Sequence, residues 1–329
     1  MCCIDAVDTP RMNLARLDLN LLVSLDALLQ QRSVTRAAAQ MGLSQPALSA
    51  SLARLRRHFG DELLTRVGND YRLTPLAVQL RQLVRIALTG VERVFEAQSD
   101  FDPASSTREF TVLVSDYVVV VLGDTLAALL TEEAPHTRLR LTPHSPAIVE
   151  RAEQVLLGAD VLLLPHGFVT DLSHQDLYRD EWVCVVSADN PVVQDGLTVE
   201  DLETMPWVVT YHGQTASTGA ARQMRMLGIE PRVQVVTEEF NTVPTLVAGS
   251  RRIALLQRRL VDMLPLDTGI RALPSPIPLG PLVEAMWWHP ALDDDPEHRY
   301  LRDVISRAAR QAVDGLPAID GADAPAREG

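Results

Sequence analysis

Residues 33–66 read Ser-Val-Thr-Arg-Ala-Ala-Ala-Gln-Met-Gly-Leu-Ser-Gln-Pro-Ala-Leu-Ser-Ala-Ser-Leu-Ala-Arg-Leu-Arg-Arg-His-Phe-Gly-Asp-Glu-Leu-Leu-Thr-Arg. The pattern predicts two short helices joined by a tight turn. Val34 to Met41 is Ala-rich, and Ala37, Ala38 and Ala39 lack the bulk that would keep a second helix away. Gly42 accepts the left-handed backbone that stops a helix. Leu43 is expected to plug the core between the two helices. Ser44 is an N-cap, and Pro46 falls in the first turn, where its missing N–H costs little. The second helix is expected to run to about Phe59, with Gly60 as its stop. Leu48, Leu52, Leu55 and Phe59 share one face. Pro46, Ala50, Ala53 and Arg57 point the opposite way, flanked by Gln45, Ser49 and Arg54. Small residues let such a helix enter a major groove. Gln and Ser reach base edges, and Arg pairs with phosphates.

The same geometry occurs in ordinary αα-hairpins, so the flanks matter. Leu63 to Arg66 and Tyr71 to Leu73 can pair around Gly68-Asn69-Asp70, a hairpin turn. This predicts a wing beside the minor groove, with Arg66 and Arg72 near the DNA backbone. Upstream, Leu21, Leu22, Leu25, Leu28 and Leu29 form one stripe on a supporting helix, Leu19 to Gln31.

Residues 17–75 resemble the winged helix-turn-helix of the LysR-type transcriptional regulators. The matching residues are Ala37-Ala38, Leu43 to Ser49, Leu64-Thr65-Arg66 and Leu73-Thr74-Pro75. Leu55-Arg56 stands where many members have Leu-Glu, Leu64 replaces the usual Phe, and Ala50 stands where many carry a longer polar residue. Leu19-Asn20-Leu21-Leu22 and Leu55-Arg56 bring the chain nearest the nodulation-regulator branch. The resemblance implies that Gln45, Pro46 and Ser49 face bases while Thr35, Arg36 and Arg66 hold phosphates. Arg54, Arg57 and Arg72 join the expected DNA-binding set on helix and wing position.

The chain has 329 residues, 47% hydrophobic content and a net charge of −13. That charge alone argues against nucleic acid, but its distribution does not. Residues 11–97 hold 12 Arg against 7 Asp plus Glu, or +5, and the rest of the chain carries 18 Arg against 36 acids, or −18. A basic module on an acidic body predicts local, oriented DNA contact. All 30 basic residues are Arg, which reads as genome composition rather than chemistry. Cys2, Cys3 and Cys184 make neither a disulfide framework nor a metal site. No apolar stretch reaches the ~20 residues that span a bilayer, and the N-terminus lacks a basic region followed by an apolar one. A cytoplasmic location is expected, with the true start at Met1 or Met12.

Thr74 can cap a long helix from Pro75 whose apolar stripe (Leu76, Leu80, Leu83, Ile86 or Ala87, Val91, Val94, Phe95) continues to about residue 97. A long amphipathic helix can pair with its own copy or fold back on its own core. The resemblance implies the first, a linker helix for dimerisation. Residues 98–107 are polar and Pro/Ser-rich, a domain boundary. A strand–helix alternation follows, βαβαβ from Phe110 to Leu164 and a second set from Trp182 to Leu256, with Val283 to Trp288 and a final helix, Pro296 to Val313, closing the chain. The expected fold is therefore α/β with an N-terminal all-α winged helix-turn-helix, and by resemblance an effector half of two lobes like a type II periplasmic-binding protein. The expected domains are a DNA-binding domain over 12–74 and a linker helix over 75–97. An effector-binding domain covers 108–313, with lobe 1 about 108–165 and 272–313 and lobe 2 about 166–271. Residues 314–329 read as a disordered tail.

In open α/β sheets, ligands bind beyond the carboxyl ends of the strands. Ser115, Asp116, Tyr117, His144, Ser145, Pro165, His166, Thr210, Phe240 and Asn241 lie at those ends, with Tyr211 and His212 beside them. They suit a carboxylate, phenol or other polar ligand, and Tyr117 and Phe240 could stack on an aromatic one. Each could equally cap a helix or satisfy a turn. The chain has no Gly-x-Ser-x-Gly elbow, phosphate loop, dinucleotide fingerprint or His-Glu-x-x-His. No catalytic residue, metal or cofactor is therefore nominated. The expected function is promoter binding switched by a small-molecule effector, aromatic or phenolic, the expected partners being double-stranded promoter DNA, RNA polymerase and further copies of the chain as a dimer or tetramer. An effector-independent architectural or repressor protein and an enzyme are the alternatives.

Overall fold

A computed structural model describes residues 18–68, 70–96, 101–193, 196–211 and 218–314. Residues 12–17 of the expected DNA-binding domain, the turn residue Asn69, His212, the start of the helix expected at 216 and the tail from 315 lie outside the described residues. The chain divides into two compact units, residues 1–97 and 98–329.

In the first unit, helix α1 (Leu19–Gln31) starts at Asp18, whose side chain accepts from Asn20 N. Helix α2 (Val34–Gln40) starts at Ser33, and α3 (Gln45–Phe59) starts at Ser44 and ends on Gly60, which is left-handed at φ 61°. Leu25, Leu28, Leu29, Ala37, Ala38, Leu48, Leu52 and Leu55 make the core. Leu43 is not part of it. It is 43% exposed, and only its backbone N–H, donating to Ala38 O at 2.9 Å, ties the turn together. Strands β1 (Leu64–Val67) and β2 (Asp70–Leu73) pair antiparallel as the wing. Thr74 then caps α4 (Pro75–Glu96), its hydroxyl accepting from Ala77 N.

The expected single stripe on α4 is two. Ala77 and Val84 are buried, with Leu80 and Leu88 packed beside them, in the same core as α1. Leu83 and Val94, on another face, are 58% and 72% exposed.

The second unit contains two five-stranded mixed sheets, with spatial orders β4-β3-β5-β12-β6 and β11-β7-β10-β8-β9. The first comprises β3 (Glu109–Val114), β4 (Arg138–Pro143), β5 (Val161–Pro165), β6 (Ser173–Asp180) and β12 (Leu282–Trp288). The second comprises β7 (Trp182–Ser187), β8 (Pro206–Thr210), β9 (Arg232–Thr237), β10 (Ile253–Gln257) and β11 (Ile270–Leu273). Strand β3 is parallel to β4 and β5, as the βαβαβ pattern predicts, whereas β12 runs antiparallel to β5 and β6. Helices α5 (Asp116–Glu133) and α12 (Pro296–Asp314) pack together on the first sheet. The helix expected from Ile148 to Leu157 is two short pieces, α6 (Pro146–Val149) and α7 (Ala152–Leu156). In the second lobe, α8 (Val199–Thr204) carries a full capping box between Thr198 and Asp201. Helices α9 (Gly219–Met226), α10 (Val243–Val247) and α11 (Arg258–Asp262) complete it.

The lobe boundaries differ from those expected. Strand β6 belongs to the first sheet, so the crossover falls at Glu181, between β6 and β7, rather than near residue 166. The return crossover follows β11, at Pro274 to Pro281. Strand β6 reads Ser-His-Gln-Asp-Leu-Tyr-Arg-Asp, a polar edge strand with little apolar periodicity to betray it.

Candidate DNA-binding and effector sites

Helix α3 presents the face its sequence promises. Leu48, Leu52 and Leu55 are buried, and Gln45, Pro46, Ser49, Ala50, Ala53 and Arg57 are exposed. Thr35 and Arg36 are exposed at the start of α2, where the Arg36 guanidinium donates to Gln31 O at 2.8 Å. Arg54 is engaged within the chain, its Nη1 lying 3.1 Å from Asp18 Oδ2. Arg66 and Arg72 are both exposed on the wing, but the register sets Arg66 opposite Tyr71 and Thr65 opposite Arg72. The two arginines therefore project to opposite faces of the hairpin, and one face cannot present both to a single DNA backbone. Arg56, which sequence reading left without a role, fixes the wing. Its guanidinium donates to Glu62 O at 2.9 Å and Leu64 O at 3.1 Å and pairs with the Glu62 carboxylate at 3.0 Å.

In the second unit, the carboxyl ends of β3, β4, β5, β8 and β10 converge on one cavity. Its volume, taken as space for the centre of a water molecule, is about 70 Å³, several times the ~10–15 Å³ that one water needs. Ser115, Tyr117, His144, Pro165 and Phe240, half of the expected effector set, line it. The others lie outside the lining. Asp116 is turned to the second lobe, where its Oδ2 accepts from Asn241 N at 2.7 Å and its carbonyl from Asn241 Nδ2. That bond joins the two lobes at the rim. Thr210 is buried in its own lobe, and Ser145 begins α6. His166 points to the surface, bonded to Asp176.

Sequence reading missed the floor and much of the wall. Trp182 and Phe168 add aromatic surface to that of Tyr211, which lay beside the expected set, and Gln257 and Glu284 add polar groups. Gln257 is 1% exposed and Glu284 also 1%, and neither Gln257 Oε1 nor Glu284 Oε1 has a hydrogen-bond partner among the described residues. Such groups are costly to bury unless something completes them. Burial, with Asp180 nearby, pushes the Glu284 carboxyl well above the usual carboxylate range and favours its neutral, hydrogen-donating form. His144 stacks on Tyr211 with ring centroids 6.4 Å apart, and burial pushes its imidazole down to about 4, so it too stays uncharged. Tyr211 holds φ at 60°, a strained backbone for a bulky residue, at the lip of the cavity. Under the cavity, Asp180 accepts from Tyr117 OH at 2.6 Å, Glu181 N at 2.7 Å and Arg259 N at 3.3 Å. One buried carboxylate thus ties α5 and α11 to the crossover between lobes.

The DNA-reading unit and the two-lobed unit each have counterparts among known proteins. Residues 19–78 match the bacterial regulatory helix-turn-helix protein of the LysR family, and residues 104–310 match the LysR substrate binding domain. The chain belongs to the LysR family of transcriptional regulators. It is 32% identical to Nodulation protein D 2 of Rhizobium tropici over 92% of this chain and 96% of that one. It is 34% identical to Nodulation protein D 1 of Mesorhizobium japonicum, over 91% and 95%. Among solved structures, a transcriptional regulator from Pseudomonas aeruginosa is 27% identical with a TM-score of 0.66, covering 89% of this chain and 98% of that one. CbnR, solved with its target DNA, has a TM-score of 0.62 at 15% identity, covering 90% and 100%, which is a likeness of fold. As a LysR-family regulator the chain combines a DNA-binding helix-turn-helix with a domain for a small-molecule effector. Among the described residues no helix is long and apolar enough to cross a membrane.

Proposed function

We propose that this LysR-family regulator reads promoter DNA with α3 and is switched by an uncharged aromatic or phenolic effector held between its two lobes. The observation that carries the effector class is the cavity itself. Its walls include Phe168, Trp182, Tyr211 and Phe240, and its lining includes Gln257 and Glu284, each with a buried oxygen that no described residue completes. Aromatic walls stack on a ring, and a neutral acid and an amide in the same lining suit a hydroxyl or carbonyl. Among the described residues of that lining there is no Arg to pair with a carboxylate ligand, whose desolvation would be costly. Gln45, Pro46 and Ser49 face the bases, while Thr35, Arg36, Arg57, Arg66 and Arg72 serve phosphates, Arg66 and Arg72 one at a time. Arg54 contributes once its pair with Asp18 opens. A ligand that binds one lobe arrangement better shifts the population toward it. In a dimer or tetramer that shift alters the spacing of the recognition helices, the bend of the DNA and the access of RNA polymerase.

The test is a titration of the whole protein with phenols, aromatic carboxylates, aliphatic acids and sugars. Binding is read by tryptophan fluorescence, to which Trp182 contributes, and by footprinting on the DNA upstream of its own gene. A phenol should bind saturably and alter the footprint, and Gln257→Leu should weaken it by about 10-fold or more, the cost of one uncompleted buried hydrogen bond. A response confined to sugars or aliphatic acids overturns this effector class.

A further inference from the structure

His166, the expected effector residue that turned away from the cavity, belongs to a different constellation. It follows β5, and its Nε2 lies 2.6 Å from Asp176 Oδ1 on β6. Strand β12 runs between those two strands, and the residue opposite Asp176 there is Ala285, small enough for His166 to reach across. His174 lies two positions before Asp176 and therefore on the same face of β6. One ring nitrogen from each histidine and a carboxylate oxygen of Asp176 all lie within 4.8 Å of one another, and all three residues are exposed.

We propose that His166, His174 and Asp176 form a binding site for a divalent transition-metal ion of the zinc type on the outer face of the first lobe.

Three features beyond proximity support it. The donor set of two imidazoles and one carboxylate is that of a zinc-class cation with open positions for water. Both rings are held in place by one indole: His174 stacks on Trp287 at 4.7 Å and 30°, and His166 meets it edge-on at 5.1 Å. Trp287 is itself fixed, its Nε1 donating to Leu164 O at 2.7 Å. Finally, His174 Nδ1 lies 3.3 Å from Leu172 O. A carbonyl accepts only from a protonated nitrogen, so Nδ1 carries the hydrogen and Nε2 keeps the lone pair a metal needs. Such an outer hydrogen bond sets the tautomer of metal-binding histidines generally. Ligands about 2.0–2.2 Å from an ion stand roughly 3–3.5 Å apart. The cluster therefore closes on a cation by small adjustments, chiefly of the Asp176 side chain, against rings already set by Trp287, with the cation taking the place of the hydrogen between His166 and Asp176.

The place of the site gives it a consequence. His166 sits between Pro165 and Phe168, two residues of the cavity lining. Gly167 O accepts from Arg222 Nη2 at 3.2 Å, and Arg222 lies over the Phe168 ring at 4.2 Å. A metal here stiffens the loop by which the first lobe touches α9 of the second.

Isothermal titration of the full-length protein with Zn²⁺, and the visible absorption of bound Co²⁺, test the site without any effector. The expected result is one ion per chain and a tetrahedral or five-coordinate Co²⁺ spectrum. His174→Ala and Asp176→Asn should each weaken binding by about 10-fold or more, and His136→Ala, an exposed histidine outside the cluster, should leave it unchanged. All three positions are exposed, so the variants should fold, which circular dichroism checks. Absence of saturable binding, or binding that survives both His174→Ala and Asp176→Asn, overturns the proposal.

Discussion

His298 shows how completely a single side chain can be specified. It is 0% exposed, its Nε2 meets Asp160 O at 2.8 Å, and Arg302 Nη1 meets its Nδ1 at 2.9 Å. Arginine only donates, so Nδ1 must accept and Nε2 must carry the hydrogen. Protonating Nδ1 would set a second positive charge against Arg302, with Arg108 also near. Burial first, then those cations, push the imidazole down to about 4. An unfolded chain takes that proton near pH 6.5. Between those values the unfolded state binds more protons than the native one, so stability falls as pH drops from about 6.5 toward 4. The expected loss from this residue is about 2 kcal/mol between pH 7.5 and 5, measured by urea unfolding at the two pH values. His144, displaced in the same direction, adds to the slope. His298→Gln should remove the His298 part of the slope whatever its effect on absolute stability. An unchanged pH slope in that variant would mean that the neutral imidazole is not the acid-sensitive element.

The wing and the recognition helix separate two kinds of DNA contact, and Arg56 is the element that joins them. Removing it with Arg56→Ala deletes the hydrogen bonds to Glu62 O and Leu64 O, each worth about 1 kcal/mol, and frees the wing from α3. Operator affinity should fall while the preferred sequence stays the same. Gln45→Ala should do the reverse, altering preference at one base position at a cost of about 1–3 kcal/mol there. Gel shifts on an operator and its single-base variants distinguish the two; a change of sequence preference in Arg56→Ala, or none in Gln45→Ala, would reverse the assignment. The same elements show what sequence can carry. Caps and helix stripes are local, so Ser44, Gly60 and the Leu48-Leu52-Leu55 face were readable residue by residue. Strand ends were readable too, because a topology rule places ligands there, and five of ten nominated residues line the cavity. Gln257 and Glu284 were not, since a polar residue at a strand end or start carries no mark of what another lobe will bring against it. Strand β6 hid for a related reason: its pairing with β12 is made by backbone and register, which a polar edge sequence does not advertise.

At the scale of the whole molecule, charge and apolar surface divide the work. The basic segment of residues 11–97, at +5, brings the chain to DNA, and the remainder, at −18, opposes indiscriminate binding. Within the first unit, α4 spends one face on its own core through Ala77, Leu80, Val84 and Leu88. Leu83, Ala87, Gly90 and Val94, spaced 4, 3 and 4 apart, are exposed on another face, with Phe95 alongside at 83% exposure. Leucine and valine at the ends and small residues between them let a second helix approach closely. The occupant expected there is the same stripe of a second copy, because a two-fold pairing matches a self-complementary face. Leu83→Asp combined with Val94→Asp puts two charges into that seam without touching the core of the unit. Sedimentation should then show a lower mass than the unaltered protein. Operator affinity should drop by about 100-fold or more, because each recognition helix loses the raised local concentration its partner supplies. The isolated unit should keep its helicity, since both positions are exposed. An unaltered mass in the double variant would assign self-association to the second unit instead and leave this face of α4 without a partner.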